Sequence, residues 1–293
     1  MRKFFILSAA CVAVLAGCNR EEANAPGRGK EITVEAAIGT TSKVTTTGDA
    51  AAFDTGDKIA LYAWTGGAAS VPAEKVVNGV ENSLGADGKW TPATPMLWAD
   101  MVTPHYFIGI YPSRTVSSFT ADIYTLAPAD YEASDLLVAV NTTGLKASEN
   151  PVSLTFDHMV AKLFVNLTFR NQWSSEPTVS AVSVAAKSAA TVDYLAQALT
   201  ATGTAAPVAL TKDANAAWSG LQVPQAGVRT ITITIEGKNY VFTHTEDIPL
   251  AKGKSTTVNL IVGRDKIELA DPVNISNWIP GSTIDNGEAQ TED

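Results

Sequence analysis

The sequence predicts an all-β protein, and three observations support that prediction. Only 17% of its 293 residues are charged. Threonine, valine and alanine are frequent, and glycine and proline interrupt the chain at short intervals, which favours strands and turns over helices. Apolar and polar residues alternate in several segments, as they do in a strand with one buried face. The length leaves room for two domains once the two ends of the chain are set aside.

The clearest pair of strands lies in the middle of the chain, at residues 151–170. The first strand alternates up to Phe156, and the second alternates from Ala161 onward. Phe164 interrupts the polar phase of the second strand, so we expect the first half of the chain to cover this face. Between the strands, Asp157-His158-Met159 suits a bend or bulge at which the chain changes sheets.

Residues 1–17 have the pattern of a signal peptide: a basic start, an apolar run and small residues at the end. The apolar run is too short to span a membrane as a helix. The ending Leu15-Ala16-Gly17-Cys18 resembles a lipobox, in which the cysteine is acylated and becomes the first residue of the mature protein. The alternative is a signal that is cleaved after Ala16 or Gly17 and leaves a free cysteine.

Cysteine content and charge exclude several classes of function. The two cysteines are Cys11 and Cys18, so the predicted mature domains contain no disulfide and no thiolate metal site. The formal net charge is −9, and removal of two basic residues with the signal gives 19 − 30 = −11. A surface of this charge repels phosphate backbones, so we expect no binding to nucleic acid.

The segment after the signal predicts a tether, a strand and a loop. Residues 18–30 contain proline and glycine in a short polar stretch, which is typical of a flexible tether. Residues 39–52 are threonine-rich and predict an extended loop with one basic residue, Lys43. Residues 31–38 predict a half-buried strand with four apolar residues on one face: Ile32, Val34, Ala36 and Ile38.

The sequence contains no recognisable catalytic or metal-binding motif. Its histidines lie far apart and none belongs to a ligand-spaced pair, so structural roles are predicted for His105, His158 and His244. A GxSxG nucleophile motif is absent. Lys252-Gly253-Lys254-Ser255 predicts a hairpin turn, because a strand follows it where a phosphate loop would lead into a helix. We therefore predict a protein without enzymatic activity, cofactor or metal.

Tryptophans offer one further possibility. Six are present in the chain. A row of exposed indole rings could form a platform on which sugars stack, whereas tryptophan more often packs in a core or an interface. For Trp64, Trp90 and Trp98 we predict core or interface packing.

Four motifs follow one another along the chain: Phe53-Asp54-Thr55-Gly56-Asp57 before a strand, the aromatic strand from Tyr106 to Pro112, Phe156-Asp157-His158-Met159-Val160-Ala161-Lys162, and Trp278 to Gly281 near the C-terminus. Each motif is loose, but together they span most of the chain. In this order they resemble the motifs of the fimbrillin family, the subunits of type V pili in certain Gram-negative anaerobes.

The resemblance implies an all-β fold of two transthyretin-like β-sandwich domains in tandem. With the observations above, it divides the chain into five parts. These are a lipoprotein signal peptide (1–17), a flexible tether (18–30), an N-terminal β-sandwich domain (31–150), a C-terminal β-sandwich domain (151–270) and a C-terminal tail (271–293).

The resemblance also implies a function at the cell surface. The chain would be a structural or adhesive fimbrial subunit, or an accessory component, exported as an outer-membrane lipoprotein through Cys18. Its partners would be other fimbrial subunits, the outer membrane and a host or bacterial surface ligand. Shaft, tip and anchor roles all stay open.

Assembly in this family implies loss of the first strand and insertion of a donor strand from a neighbour. Lys43 is the predicted site for an Arg/Lys-specific protease, because a lone basic residue in an exposed loop is accessible; the alternative is that Lys43 is only a solvated loop residue. Val273 and Ile275 follow a break at Asp271-Pro272 and predict a donor strand. The alternative is that this segment is the last strand of its own domain.

Two other functions are compatible with the same architecture. A surface glycan-binding lipoprotein predicts aromatic residues clustered on one exposed face and affinity for a polysaccharide. A β-sandwich hydrolase predicts turnover of a glycan, although no carboxylate pair can be identified without spatial information.

Overall fold

The computed structural model describes residues 29–39, 52–213, 217–270, 274–277, 283–285 and 289–291. The first half contains helix α1 (Tyr131–Ser134), a 3-10 helix (Ala147–Glu149) and eight strands: β1 Val34–Ile38, β2 Lys58–Thr65, β3 Val77–Leu84, β4 Trp90–Pro92, β5 His105–Tyr111, β6 Asp122–Thr125, β7 Leu137–Leu145 and β8 Val152–His158.

The described residues of the second half contain strands joined by turns and loops, and no helix. The strands are β9 Ala161–Phe169, β10 Val179–Ala186, β11 Ala189–Asp193, β12 Ala198–Thr202, β13 Ala206–Lys212, β14 Trp218–Gln222, β15 Thr230–Ile235, β16 Lys238–Thr243, β17 Lys254–Val262, β18 Lys266–Leu269, β19 Asn274–Asn277, β20 Thr283–Asp285 and β21 Ala289–Thr291.

Two large sheets organise the chain, which confirms the predicted all-β fold of tandem β bodies. The first sheet has the order β1-β8-β7-β5-β2-β3-β4. The second follows β18-β21-β16-β15-β10-β13-β14-β9-β17-β19, and an additional pairing of β18 with β17 closes it into a ring. A third sheet of three strands, β12-β11-β6, joins a strand of the first half to a hairpin of the second.

The chain changes sheets at Met159 and Val160, as the bend after Phe156 predicts. β8 lies in the first sheet beside β7, and β9 lies in the second beside β14 and β17. The predicted domain division after Asn150 therefore falls between two hydrogen-bonded neighbours, β7 and β8. Alternation shows which face of β8 is buried, but it does not show in which sheet the strand lies.

Both faces of the first sheet are covered. One face packs in a core of its own half, which includes Ile59, Leu61 and Phe107. The other face contributes Tyr62 and Ile110 to a core shared with the second sheet. Because both faces are buried, β2 and β5 are continuous apolar strands without alternation.

The sequence of residues 194–199 is compatible with a short helix, but these residues do not form one. Residues 194–197 form the turn of the β11–β12 hairpin, and Gln197 has a φ of 48° in the left-handed region. A helix does form at Tyr131–Ser134, where the Asp130 side chain accepts a hydrogen bond from the Ala133 N–H at 2.9 Å. Pairing across the hairpin decided the conformation of the 194–199 segment, against its helix propensity.

Phe164 is half-buried, and its neighbourhood accounts for the interrupted polar phase of β9. Its partner in the adjacent strand is Ser219 of β14. The hydroxyl groups of Ser219 and Tyr131 are 2.9 Å apart, so helix α1 of the first half covers this face.

Candidate functional site

The first strand is held along its whole length by β8, to which it runs parallel. The register pairs Val34 with Val152 at one end and Ile38 with Phe156 at the other. Two backbone hydrogen bonds extend the pairing: Val152 donates to the Thr33 carbonyl at 2.8 Å, and Gly39 donates to the Phe156 carbonyl at 2.9 Å. The strand forms the edge of the first sheet.

Residues 30–32, just before β1, pair with a different segment, residues 96–98. Ile32 donates its N–H to the Met96 carbonyl at 2.8 Å, and Trp98 donates to the Lys30 carbonyl at 3.0 Å. An antiparallel bridge between Glu31 and Leu97 lies between these two bonds. The first strand and the residues before it are therefore bonded to two segments that are distant in sequence.

Two side chains fix the beginning of the strand. The Lys30 ammonium donates to the Ala147 carbonyl at 2.6 Å. Asn150 accepts from the Thr33 N–H at 2.9 Å and donates to the Thr33 hydroxyl at 2.9 Å. Sequence reasoning did not identify Lys30 or Asn150, because neither lies in a motif and their partners are more than 100 positions away.

The apolar face of the strand points into the core of the first half. Ile32 is 2% exposed, and Val34 and Ile38 are also buried. Ala36 is half-buried and packs against the same cluster. Burial of a large aliphatic side chain contributes about 1.5–3 kcal/mol, so Ile32, Val34 and Ile38 together contribute about 5–9 kcal/mol as an upper bound.

The chain returns to this core at Phe53, after residues 40–51. The Phe53 ring meets the rings of Trp90, Tyr111 and Phe156 edge-to-face, with centroid separations of 5.2–5.5 Å. The turn that follows is fixed by Asp57, whose carboxylate accepts from the Asp54 N–H at 2.7 Å and from the Tyr111 hydroxyl at 3.2 Å. Burial and the Asp57 carboxylate raise the pKa of Tyr111 well above its usual value.

Three of the predicted processing and donor residues lie outside the described residues: Cys18, Lys43 and Val273. Ile275 lies in β19, which pairs antiparallel with β17 of the second sheet, opposite Thr256. Its side chain is 40% exposed. Donor and last-strand roles for this segment both stay predictions.

Each histidine has structural contacts. His105 is buried, and its Nε2 accepts from the Ala99 N–H at 3.1 Å, so Nδ1 carries the proton and donates to the Thr103 carbonyl at 2.8 Å. The Nδ1 atom of His244 contacts the Glu246 backbone. Within the described part of the chain, no three potential ligand side chains cluster as a metal site would require.

His158 makes a contact that the sequence does not predict. Its Nδ1 lies 2.7 Å from Oδ1 of Asp135, and both side chains are almost completely buried. The pair joins the end of β8 to the residue after helix α1, next to the point where the chain changes sheets. A buried histidine and carboxylate in direct contact stabilise the structure only together, because removal of one partner leaves the other in an apolar environment.

Five tryptophans fall in the described residues, and all of them are buried: Trp64, Trp90, Trp98, Trp173 and Trp218. The large hydrophobic side chains that are exposed in the same ranges are aliphatic: Leu97, Met101, Val102, Ile123 and Ile275. An exposed aromatic platform for sugars is therefore not found in these ranges.

Among the residues with described structure, no helix is long and apolar enough to cross a membrane.

A sequence model described as fimbrillin-like matches residues 42–278. No curated protein sequence matches the chain significantly. Solved structures do resemble it. A candidate cell adhesion protein from Bacteroides uniformis has 18% identity and a TM-score of 0.64, with 85% of this chain and 99% of that chain covered.

Two further structures agree with that likeness. A candidate cell adhesion protein from Bacteroides ovatus has 15% identity and a TM-score of 0.65, with 87% of this chain and 99% of that chain covered. The C-terminally truncated tip fimbrial protein Mfa3 from Porphyromonas gingivalis has 14% identity and a TM-score of 0.50, with 85% of this chain and 99% of that chain covered. At these identities the likeness concerns the fold.

Proposed function

The chain belongs to the fimbrillin-like family, and from that premise we propose that it is a lipid-anchored fimbrial precursor that assembles by exchange of its first strand. The family consists of structural fimbrial subunits and is located at the cell surface. Its members assemble with other fimbrial subunits. The lipid anchor, the cleavage and the exchange are the parts that we propose for this chain.

The proposal rests on how the first strand is held: by pairing with one neighbouring strand and by burial of three aliphatic side chains. β1 is an edge strand, and in the described structure its strand pairing is with β8. Ile32, Val34 and Ile38 nevertheless fill part of the core. A typical domain is stable by only about 5–15 kcal/mol, so loss of a contribution of about 5–9 kcal/mol would leave the first half unstable unless another strand took its place.

Exchange of the first strand would follow, because the first half needs a strand in this position to remain stable. Cleavage after Lys43 cuts the covalent connection between β1 and the rest of the chain, and the strand then stays only through its contacts. An apolar strand from a neighbouring subunit can replace those contacts, with hydrogen bonds to β8 and aliphatic side chains in the same pockets. Val273 and Ile275 are our proposed donor residues.

The N-terminal residue of purified surface fibres tests the proposal. We expect Val44 for an assembled subunit and lipid-modified Cys18 for the precursor. The Lys43→Ala variant should be exported and lipidated but should not form fibres. Fibres that begin at Cys18, or that form normally with Lys43→Ala, would show that strand removal after Lys43 is not required.

Donor residues need a separate test. Val273→Asp and Ile275→Asp together should block fibre formation while the monomer keeps its melting temperature. If the double variant assembles normally, or if its monomer unfolds, the segment acts in some other way than as a donor strand.

A further inference from the structure

The three-stranded sheet ends in an edge strand, β12, that pairs with β11 on one side. Among the described residues, no strand pairs with its other side. The second large sheet is closed by the pairing of β18 with β17, whereas the first large sheet ends at β1 and β4. The opposite edge of the small sheet is β6, where Arg114 donates to the Ile123 carbonyl at 2.7 Å and so occupies a backbone acceptor. Next to β12, Lys252 donates to the carbonyl of Gln197 at 2.6 Å, just before the strand begins, and the five residues of β12 themselves are uncharged.

An open strand edge is a template for pairing with another strand, and proteins usually protect such edges with charge, proline or a bulge. The β12 sequence, Ala-Leu-Thr-Ala-Thr, contains none of these protections. Leu199 and Ala201 pack against the shared core, which holds the strand in place, while Ala198, Thr200 and Thr202 are exposed. One face of β12 therefore packs on the protein and the other is exposed.

The chain segment that contains β12 carries no charge, and the nearest charged residues, Asp193 and Lys252, lie at its Ala198 end. Residues 194–211 contain no Asp, Glu, Lys or Arg, although 17% of the whole chain is charged. Residues 202–207 in this range are all exposed. Ile123, which is 73% exposed, lies in the same row across the sheet, because Thr191 is paired with both Ile123 and Thr200.

A chain with a net charge of −9 repels its own copies over most of its surface. An uncharged patch lacks this repulsion, and protein interfaces are depleted of charge at their centres. The β12 sequence is also compatible with itself in an antiparallel pair centred on Thr200. Ala198 would then face Thr202 of the second copy, Leu199 would face its Ala201, and the two Thr200 side chains would lie side by side, which is a favourable pair.

We propose that β12 is a side-by-side docking edge for a second copy of this chain, through antiparallel β12–β12 pairing centred on Thr200. The two small sheets then form one continuous sheet of six strands. This contact leaves the first strand in place and is independent of strand exchange, so it would join subunits laterally, whereas exchange joins them end to end.

Disulfide trapping tests both the contact and its register. The mature chain that begins at Cys18 carries Cys18→Ala, so that an introduced cysteine is its only one. In the proposed pair the two Thr200 Cα atoms are about 4.5–5.5 Å apart, within the disulfide range. We therefore expect Thr200→Cys to form a covalent dimer about tenfold faster under mild oxidation than the control Thr142→Cys, an exposed position on β7.

The register predicts a second result. Ala198→Cys and Thr202→Cys should each dimerise no faster than the control on their own, but a mixture of the two should form the mixed dimer. Equal rates for Thr200→Cys and Thr142→Cys, or equal dimerisation of all three β12 variants alone, would overturn the proposal. Fibre formation is measured separately with the cleaved chain, so failure of strand exchange leaves this test unaffected.

Discussion

The structure allows an estimate of how strongly the first strand is held. A chain with a site for a sequence-specific protease placed among residues 40–51 can be cut between β1 and β2 without any natural processing. The N-terminal fragment is then held by its hydrogen bonds to β8 and residues 96–98 and by Ile32, Val34 and Ile38. We expect the fragment to stay bound after cutting.

Ile32→Ala should weaken that binding strongly. Truncation of a buried isoleucine costs about 2–5 kcal/mol, and each 1.4 kcal/mol is a factor of ten in an equilibrium constant, so the binding constant of the fragment should fall about 30-fold to several thousand-fold. The control is Glu35→Ala, on the exposed face of the same strand. Its effect should be less than about threefold, because exposed substitutions usually change stability by less than 0.5 kcal/mol.

The assay uses a fluorescent label on the fragment and an excess of an unlabelled peptide that covers residues 29–39. Exchange is followed as a fall in fluorescence anisotropy after the cut. Circular dichroism before the cut checks that each variant is folded. If the Ile32→Ala fragment exchanges at the rate of the Glu35→Ala fragment, the buried face of β1 does not hold the strand, and the argument for exchange fails.

Further predictions concern packing, a buried pair and the lipid anchor. Gly109→Ala places a Cβ atom 2.5 Å from Cζ of Phe156, and overpacking of this kind should cost about 1–3 kcal/mol; an unchanged melting temperature would contradict it. Asp135→Ala removes the carboxylate that contacts buried His158 and should cost about 3 kcal/mol in urea unfolding, since one partner of a buried pair is lost; a loss below about 0.5 kcal/mol would show that the pair is not coupled. Cys18→Ala should move the protein from membranes to soluble fractions, because the variant lacks the residue that carries the proposed acyl chains. A variant that stays membrane-bound, with a wild type that takes up no labelled palmitate, would refute lipidation.

The sequence was informative about individual strands because buried positions are mostly apolar and exposed positions mostly polar. Alternation predicted the inward face of β1, and residues 30–38 do seat Ile32, Val34 and Ile38 in the core. The residues Asp157-His158-Met159 also indicated where the chain changes sheets. The site as a whole could not be predicted, because Lys30 and Asn150 act through backbone and side-chain partners on segments that are far away in sequence.

The sequence alone thus predicted the all-β class, the inward face of β1 and of the two central strands and, through four loose motifs, the family. Tertiary structure decided which strands are neighbours: the parallel pairing of β1 with β8, the placement of β8 in the first sheet and the open edge at β12. The physical reason is that a period of two records which face of a strand is buried, whereas the hydrogen bonds that choose a neighbour are made by backbone groups that are nearly the same in every residue. Residues 194–199 show the same limit, because pairing between β11 and β12 turned a helix-compatible segment into a hairpin.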